Sequence, residues 1–403
     1  VTAPLSHLRV LDLSRVLAGP WASQLLADLG AEVIKIEKPG SGDDTRGWGP
    51  PFLKDRAGND TGRAAYFTAA NRGKRSVTLD IAQPDGARLA RELARSCDVV
   101  LENFKVGGLA RYGLDYPALR EVKPQLVYCS ITGFGQDGPL KDRAGYDFMI
   151  QAMGGLMSIT GAPDGEPTKV GVAIADLFTG MYATVAILAA LAHRDRTGEG
   201  QHIDLALLDC QVAMLANQAS NYLAGGVVPG RLGNAHPNIV PYQVFATVDG
   251  NIVLAVGNDR QFARFCEIAG RGELAADPRF ATNAGRVRHR AELVPIVAQL
   301  LATRATDAWV AALEPAGVPC GPVNTLDRVF DEAQARHRGL RVELPDAEAG
   351  SVPGVANPIR FSATPIEYGA PPPRLGEHTD QVLGERLGLD AGTLAALHAR
   401  GVI

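Results

Sequence analysis

The chain has 403 residues, 46% hydrophobic and 21% charged, with a formal net charge of -4; it is long enough for two domains and shows no basic footprint for nucleic acid. Its five scattered cysteines (Cys97, Cys129, Cys210, Cys266, Cys320) form no Cys-x-x-Cys, and its eight histidines show no ligand spacing. A disulfide frame and a bound metal are not expected, and reduced thiols point to the cytoplasm.

Nothing before Leu8 couples a basic segment to an apolar one, so no secretory leader is expected. Leu8 to Leu13 reads as a short apolar strand, Pro20 to Leu29 as a helix with proline in its first turn, and Glu32 to Glu37 as a second strand. Strands at Ser76 to Asp80, Asp98 to Leu101 and Leu126 to Ile131 alternate with helical stretches at Pro84 to Arg95 and Leu114 to Val122. Such alternation predicts a Rossmann-like parallel sheet with crossover helices.

Lys169 to Tyr182 (KVGVAIADLFTGMY) carries a single carboxylate, Asp176, between a small apolar run and a helix reaching about Leu191. An acid there suits the positive end of a helix dipole and makes a good N-cap. The helix is apolar from Tyr182 to Ala192 and is expected to be buried; the run is about half the roughly 20 residues of a membrane span. No membrane partner is expected.

A strand at His202 to Leu207 leads into a predicted helix from Leu208 to about Leu223, followed by a glycine- and proline-bearing connection up to Pro241. Beyond it come a hairpin (Gln243 to Phe245 with Asn251 to Val256) and helices at Gln261 to Ala269, Arg290 to Ala302 and Thr306 to Ala316. The organisation predicted is therefore an α/β large domain over 1–224 and a smaller α+β domain over 225–329. Residues 330–403, proline-rich and aperiodic, are expected to return over the large domain.

The alternation invites a dinucleotide, but the turn after the first strand, Ser14-Arg15-Val16-Leu17-Ala18-Gly19-Pro20, lacks Gly-x-Gly-x-x-Gly. Gly73-Lys74-Arg75 is not a Walker motif either.

Several stretches together resemble the family III CoA-transferases, which include formyl-CoA and carnitine CoA-transferases and the related α-methylacyl-CoA racemases. They are Arg15 to Pro20, Gly30 to Glu37, Gly42-Asp43-Asp44-Thr45-Arg46, Asn71 to Ser76, Glu102-Asn103-Phe104, and Asp176 with its helix. Within the family the chain is most similar to the succinate–hydroxymethylglutarate (glutarate) CoA-transferases, through Trp48 to Phe52, Tyr128 to Gly133, Arg143 to Asp147, Ile239 to Gln243 and Gly317 to Pro319. The resemblance implies a CoA-binding large domain and an interlocked homodimer. It implies coenzyme A thioesters as substrates, with succinyl-CoA as donor and a small dicarboxylate such as glutarate as acceptor, and no permanently bound cofactor. It makes Asp176 the nucleophile, passing through an aspartyl anhydride and an aspartyl-CoA thioester.

By the same resemblance Val16, Ala18, Lys38, Asn103, Phe104, Arg111 and Arg143 contact CoA, Lys38 standing where the family has an arginine. The Gly257 to Gln261 stretch matches a mobile glycine loop of the family, or else is a plain strand-to-helix turn. Arg15, Arg46, Arg72, Arg143, Arg231 and His236 are candidates to grip a distal carboxylate. The rival activity is α-methylacyl-CoA racemization, which needs a base opposite the aspartate. The family's histidine falls at Tyr146 here, and an unperturbed phenol, with a pKa near 10, is no base at neutral pH. A CoA-binding protein without activity would most economically have lost Asp176, which is present.

Overall fold

The structure is a computed structural model that describes residues 2–403. Six strands form one sheet: β1 (Arg9–Asp12), β2 (Glu32–Glu37), β3 (Lys74–Thr78), β4 (Val99–Glu102), β5 (Val127–Thr132) and β6 (His202–Ala206). Every pairing is parallel, in the order β3-β2-β1-β4-β5-β6. This is the doubly wound arrangement, whose order reverses between β1 and β4. Strands β1 to β5 are almost wholly buried, as a sheet covered on both faces requires, while the edge strand β6 is partly exposed.

On one face lie α1 (Ala18–Asp28) and α5 (Ile174–Thr197), which share a core with Val10, Val33, Leu101 and Val127. On the other lie α2 (Pro84–Ser96) and α3 (Tyr116–Val122), while α4 (Asp147–Met153) adds Ile150 to the first core. The aperiodic C-terminal stretch adds a hairpin, Arg341–Asp346 with Gly350–Val355, and two helices, Thr379–Leu387 and Ala391–Ala399. Those helices place Val382, Leu383, Leu394 and Leu397 in the same core as α2, so the segment supplies core as well as cover.

By internal contacts the chain groups into two units. The first runs up to Leu156 and includes Val170–Ser220 and Ala333–Ile403; the second comprises Met157–Lys169 and Asn221–Glu332. The second unit has a three-stranded antiparallel sheet whose third strand, Cys320–Pro322, carries no signal in the sequence. Its own core is built around Phe262, Phe265, Phe280 and Trp309.

Two expectations fail locally. The predicted helix from Leu208 to Leu223 is two helices, Leu207–Ala213 and Ala216–Gly225, because Ala216 sits in the left-handed region at φ 45° and breaks the ladder. The apolar helix α5 is longer than expected: it has 24 residues, and an 18-residue stretch of it has a mean hydropathy of 1.8, enough by length and composition to cross a membrane. Nor is it buried all round. Ala175, Ala183, Ile187, Ala190 and Leu191 pack in the core, while Met181, Tyr182 and Val185 are exposed.

The approach of α1 to α5 depends on Gly180. A Cβ there would stand 2.7 Å from the Ala18 carbonyl oxygen and 3.1 Å from Trp21 Cβ. Replacing Gly180 by Ala is expected to destabilise the fold by ~1–3 kcal/mol, because backbone must move. Urea unfolding measures this, and an unchanged midpoint refutes the close crossing.

Candidate active site

In an open parallel sheet the strand order reverses at a crevice outside the carboxyl ends of the strands, and that is where ligands bind. The loop after β1 (Ser14 to Leu17) and the loop after β4 (Asn103 to Gly108) flank this point. Between them opens a cavity of about 640 Å3 lined by Arg15, Val16, Leu17, Ala18, Asn103, Phe104, Lys105, Arg111, Lys141, Arg143, Tyr146 and Asp176, among others. A neighbouring cavity of about 390 Å3 is bordered by Lys38, Ile36, Leu79, Ile81 and Tyr112. Arg15, Asp44 and Phe104 border both.

Asp176 lies in the first turn of α5, but it is not the cap expected of it. The N-cap residue is Ala173, whose side chain cannot accept a hydrogen bond. The work is done from a distance by Asp147, whose Oδ1 accepts from the amides of Ala175 (2.8 Å) and Asp176 (3.3 Å). Asp147 Oδ2 in turn accepts from Gln151 Nε2 at 2.7 Å, which locks the acid in place. Freed from capping, the Asp176 carboxylate has no hydrogen bond or ion pair among the described residues. Gly180 lies one turn further along the same face of α5, against Ala18, so the Asp176 face is turned toward the start of α1.

The helix dipole suggests a stabilised carboxylate, yet burial dominates, and the neighbouring charge of Asp147 adds to it: the Asp176 carboxyl is pushed up to about 7. An unpartnered carboxylate with a raised pKa is held ready for chemistry rather than spent on structure. If the anion is the working form, kcat/KM rises with pH and levels off above about 7. Asp147→Asn keeps a capping oxygen but removes the like charge, so the acid limb is expected to shift to lower pH. A pH profile of both proteins checks this; coincident limbs refute the coupling.

The remaining expected residues divide clearly. Val16, Ala18, Asn103, Phe104, Arg111, Arg143 and Tyr146 come together with Asp176 around the larger cavity, and Lys38 borders the smaller one. Of the cations Arg15, Lys105, Arg111, Lys141 and Arg143, only Arg15 is ion-paired among the described residues, at 3.3 Å from Asp44. Arg46 and Arg72 line neither cavity. The Arg46 guanidinium is engaged by both Glu37 oxygens (2.8 and 2.7 Å), donates to the Pro373 carbonyl and stacks on Phe67. Arg72 is likewise forked onto Asp28 (2.8 and 2.6 Å) and donates to the Val355 carbonyl. Every nitrogen of both guanidinium groups is engaged within the protein, and neither residue lines the Asp176 cavity.

His236, Arg231, Gly257 and Gln261 belong to the second unit. Arg231 donates to the carbonyls of Ala162 and Gly165, and His236 Nδ1 accepts from the Asn238 amide. The Gly257 to Gln261 stretch is a strand-to-helix turn: Asn258 caps the helix by accepting from the Gln261 amide, and Gln261 Oε1 accepts from the Gly257 amide.

Two residues escaped the sequence reading. Asp147 had no signal of this role, since the amides it caps lie 28 and 29 residues further along the chain. Tyr66, packed edge-on against Trp48 at 5.1 Å between ring centres, has its hydroxyl pKa raised by burial and by the fields of Asp176, Asp147 and Asp43. It therefore lies within electrostatic reach of the free carboxylate.

Comparison with known proteins finds relatives over most of the chain. The model of CoA-transferase family III matches residues 5–379. A succinate–glutarate CoA-transferase of Agrobacterium fabrum is 57% identical over 95% of this chain and 95% of its own. A human succinyl-CoA:glutarate CoA-transferase is 45% identical over 99% of this chain and 90% of its own. The crystal structure of a CaiB/BaiF family protein from Brucella suis superposes with a TM-score of 0.85 at 51% identity, covering 96% of this chain and all of that one.

Proposed function

The chain belongs to CoA-transferase family III, and we propose that it moves CoA from succinyl-CoA to glutarate or a hydroxylated relative by covalent catalysis at Asp176. The observation that carries this reading is the unpartnered Asp176 carboxylate on a cation-bearing cavity at the reversal point of the sheet. The two similar proteins described above, whose names give succinate or succinyl-CoA and glutarate, supply the substrate pair.

The chemistry needs only carboxylates and one thiolate. Asp176 attacks the succinyl thioester carbonyl, the C–S bond breaks, and a succinyl–aspartyl anhydride and CoA thiolate result. The thiolate attacks the Asp176 carbonyl of the anhydride, expelling succinate and leaving an aspartyl-CoA thioester. A glutarate oxygen then attacks that thioester and releases the thiolate again. Attack of the thiolate on the glutaryl carbonyl gives glutaryl-CoA and restores the Asp176 carboxylate. No net proton is taken up or lost, so the cycle needs no separate base.

The CoA moiety fits the two adjoining cavities. Phe104, on the rim of both, offers a flat face for the adenine ring, and Lys38, Arg111 and Arg143 offer charge to phosphates. With Arg46 and Arg72 committed elsewhere, Arg15 and Arg143 remain on the Asp176 cavity to meet the free carboxylate of a dicarboxylate. The reading also includes a cytoplasmic homodimer. All five cysteines are unpaired, and Met181, Tyr182 and Val185 present an apolar stripe on α5 that suits a second copy. Sedimentation at micromolar concentration tests the dimer.

The deciding experiment offers a panel of dicarboxylates with succinyl-CoA and reads CoA products by mass. Glutaryl-CoA or a hydroxylated homologue should dominate; no acyl exchange with any acid sinks the reading. Racemization makes a separate prediction. Tyr146 lines the Asp176 cavity, and by resemblance it stands where the racemases have their histidine. A 2-methylacyl-CoA incubated in heavy water should keep its α-proton. Appreciable deuterium uptake would restore racemization.

A further inference from the structure

Val16 has φ 71°, a left-handed conformation that a β-branched residue rarely adopts. It lies on the wall of the Asp176 cavity, between Arg15 and Leu17, which line it too. A strained residue persists only where its surroundings over-determine it. Here they do. The Ser14 amide donates to Asp12 Oδ1 at 2.9 Å, and the Ser14 carbonyl accepts from Lys35 Nζ at 2.8 Å. The Arg15 amide donates to Asn103 Oδ1 at 2.9 Å, and the Arg15 carbonyl accepts from Asn103 Nδ2 at 2.7 Å. The Val16 amide donates to Asp43 Oδ1 at 3.2 Å.

Five successive backbone groups are thus held by side chains, four of them from other elements and one from Asp12 at the end of β1. The holders are themselves fixed. Asp43 is fully inside the protein, with its Oδ2 3.0 Å from Lys35 Nζ, its amide donating to Glu37, and its Oδ1 also accepting from Thr45. A turn that needed only to connect β1 to α1 has no use for such a clamp. A turn that must hold peptide groups at a set place on a reacting thioester does, since a misplacement of about 1 Å can reduce rate a hundredfold.

We propose that Asn103 and Asp43 are positioning residues that lock the Arg15–Val16 turn in its left-handed form, and so set the reactivity of the bound thioester rather than the affinity for it. The inference rests on the transferase reading for its rate consequences. It also revises the role that resemblance gives Asn103: its carboxamide grips the Arg15 peptide from both sides instead of reaching for CoA.

The test uses Asn103→Ala, Val16→Gly and the double variant. Asp43→Ala strands the buried Lys35 and is expected to lose stability, so the half-exposed Asn103 carries the experiment. Asn103→Ala should lower kcat by about ten- to a hundredfold while KM for succinyl-CoA changes less than about threefold. Amide exchange at Val16 should quicken by about tenfold or more, although its own partner Asp43 is untouched. Glycine tolerates positive φ, so Val16→Gly in the Asn103→Ala background should recover about tenfold in kcat. A raised KM with kcat intact makes Asn103 a CoA contact and overturns the proposal. So does a kcat loss that glycine does not relieve, or exchange at Val16 that does not change. Should the wild type transfer no CoA from succinyl-CoA, the functional reading fails by itself. The exchange arm then still decides whether Asn103 holds the turn.

Discussion

Asp176→Asn is expected to remove CoA transfer by roughly ten-thousandfold or more while leaving CoA binding nearly intact. The amide is not a nucleophile toward a thioester, and neither the cations nor the aromatic rim of the two cavities is touched. Stability should move the other way. Burial and Asp147 push the Asp176 carboxyl from 3.8 up to about 7. The folded state therefore favours the protonated form, and its stability is fullest below the unfolded value and declines as pH rises through about 7. At pH 8 the wild type bears the whole penalty of an ionised, unpartnered carboxylate, and the amide relieves it. Tm of Asp176→Asn should exceed that of the wild type at pH 8, and the difference should shrink toward pH 4. Hydroxylamine added with succinyl-CoA should convert wild-type Asp176 to a hydroxamate and leave the variant unlabelled. A variant with near wild-type turnover removes the covalent mechanism; an inactive variant with lowered Tm at pH 8 removes the electrostatic account of the site.

Glutarate is expected to outpace valerate as acceptor by roughly a hundredfold at fixed succinyl-CoA. A dicarboxylate activated at one end keeps a charge at the other, and burying that charge unpaired costs several kcal/mol. Arg143, without an ion pair among the described residues, lines the Asp176 cavity and is available to meet it; Arg15 lines it too, in an exposed pair with Asp44. A mono-acid of the same length leaves the cation desolvated and unpaired, and a lost charged pair of ~3 kcal/mol gives about that factor. Formate and oxalate are too short to span from the nucleophile to a cation, and carnitine presents a like charge to it. Butyrate should behave as valerate does. Equal rates for mono- and dicarboxylates remove the arginine grip and with it the case for this acceptor class.

The alternation of apolar strands and amphipathic helices was enough to determine a parallel α/β sheet, because each strand declares its burial in its own residues and each crossover helix in its periodicity. The missing glycine turn after β1 argued against a dinucleotide, and Asp176 with Tyr146 already favoured nucleophilic over proton-abstracting chemistry. These are properties of single residues or short runs, so one dimension suffices to hold them. What required the folded chain were pairings between distant positions. Arg46 and Arg72 look as available as Arg15 and Arg143 until Glu37 and Asp28 are seen to occupy them. The cap on α5 comes from Asp147, and only burial beside that residue reverses the direction in which the Asp176 carboxyl shifts. Val16 is an ordinary loop valine in the sequence. Its left-handed turn exists because Asp43 and Asn103, brought up on the neighbouring strands' loops, hold the peptide groups on either side of it. Charge neutralisation, desolvation and backbone strain are set by what stands within a few ångströms, and that distance is settled only when the sheet has closed.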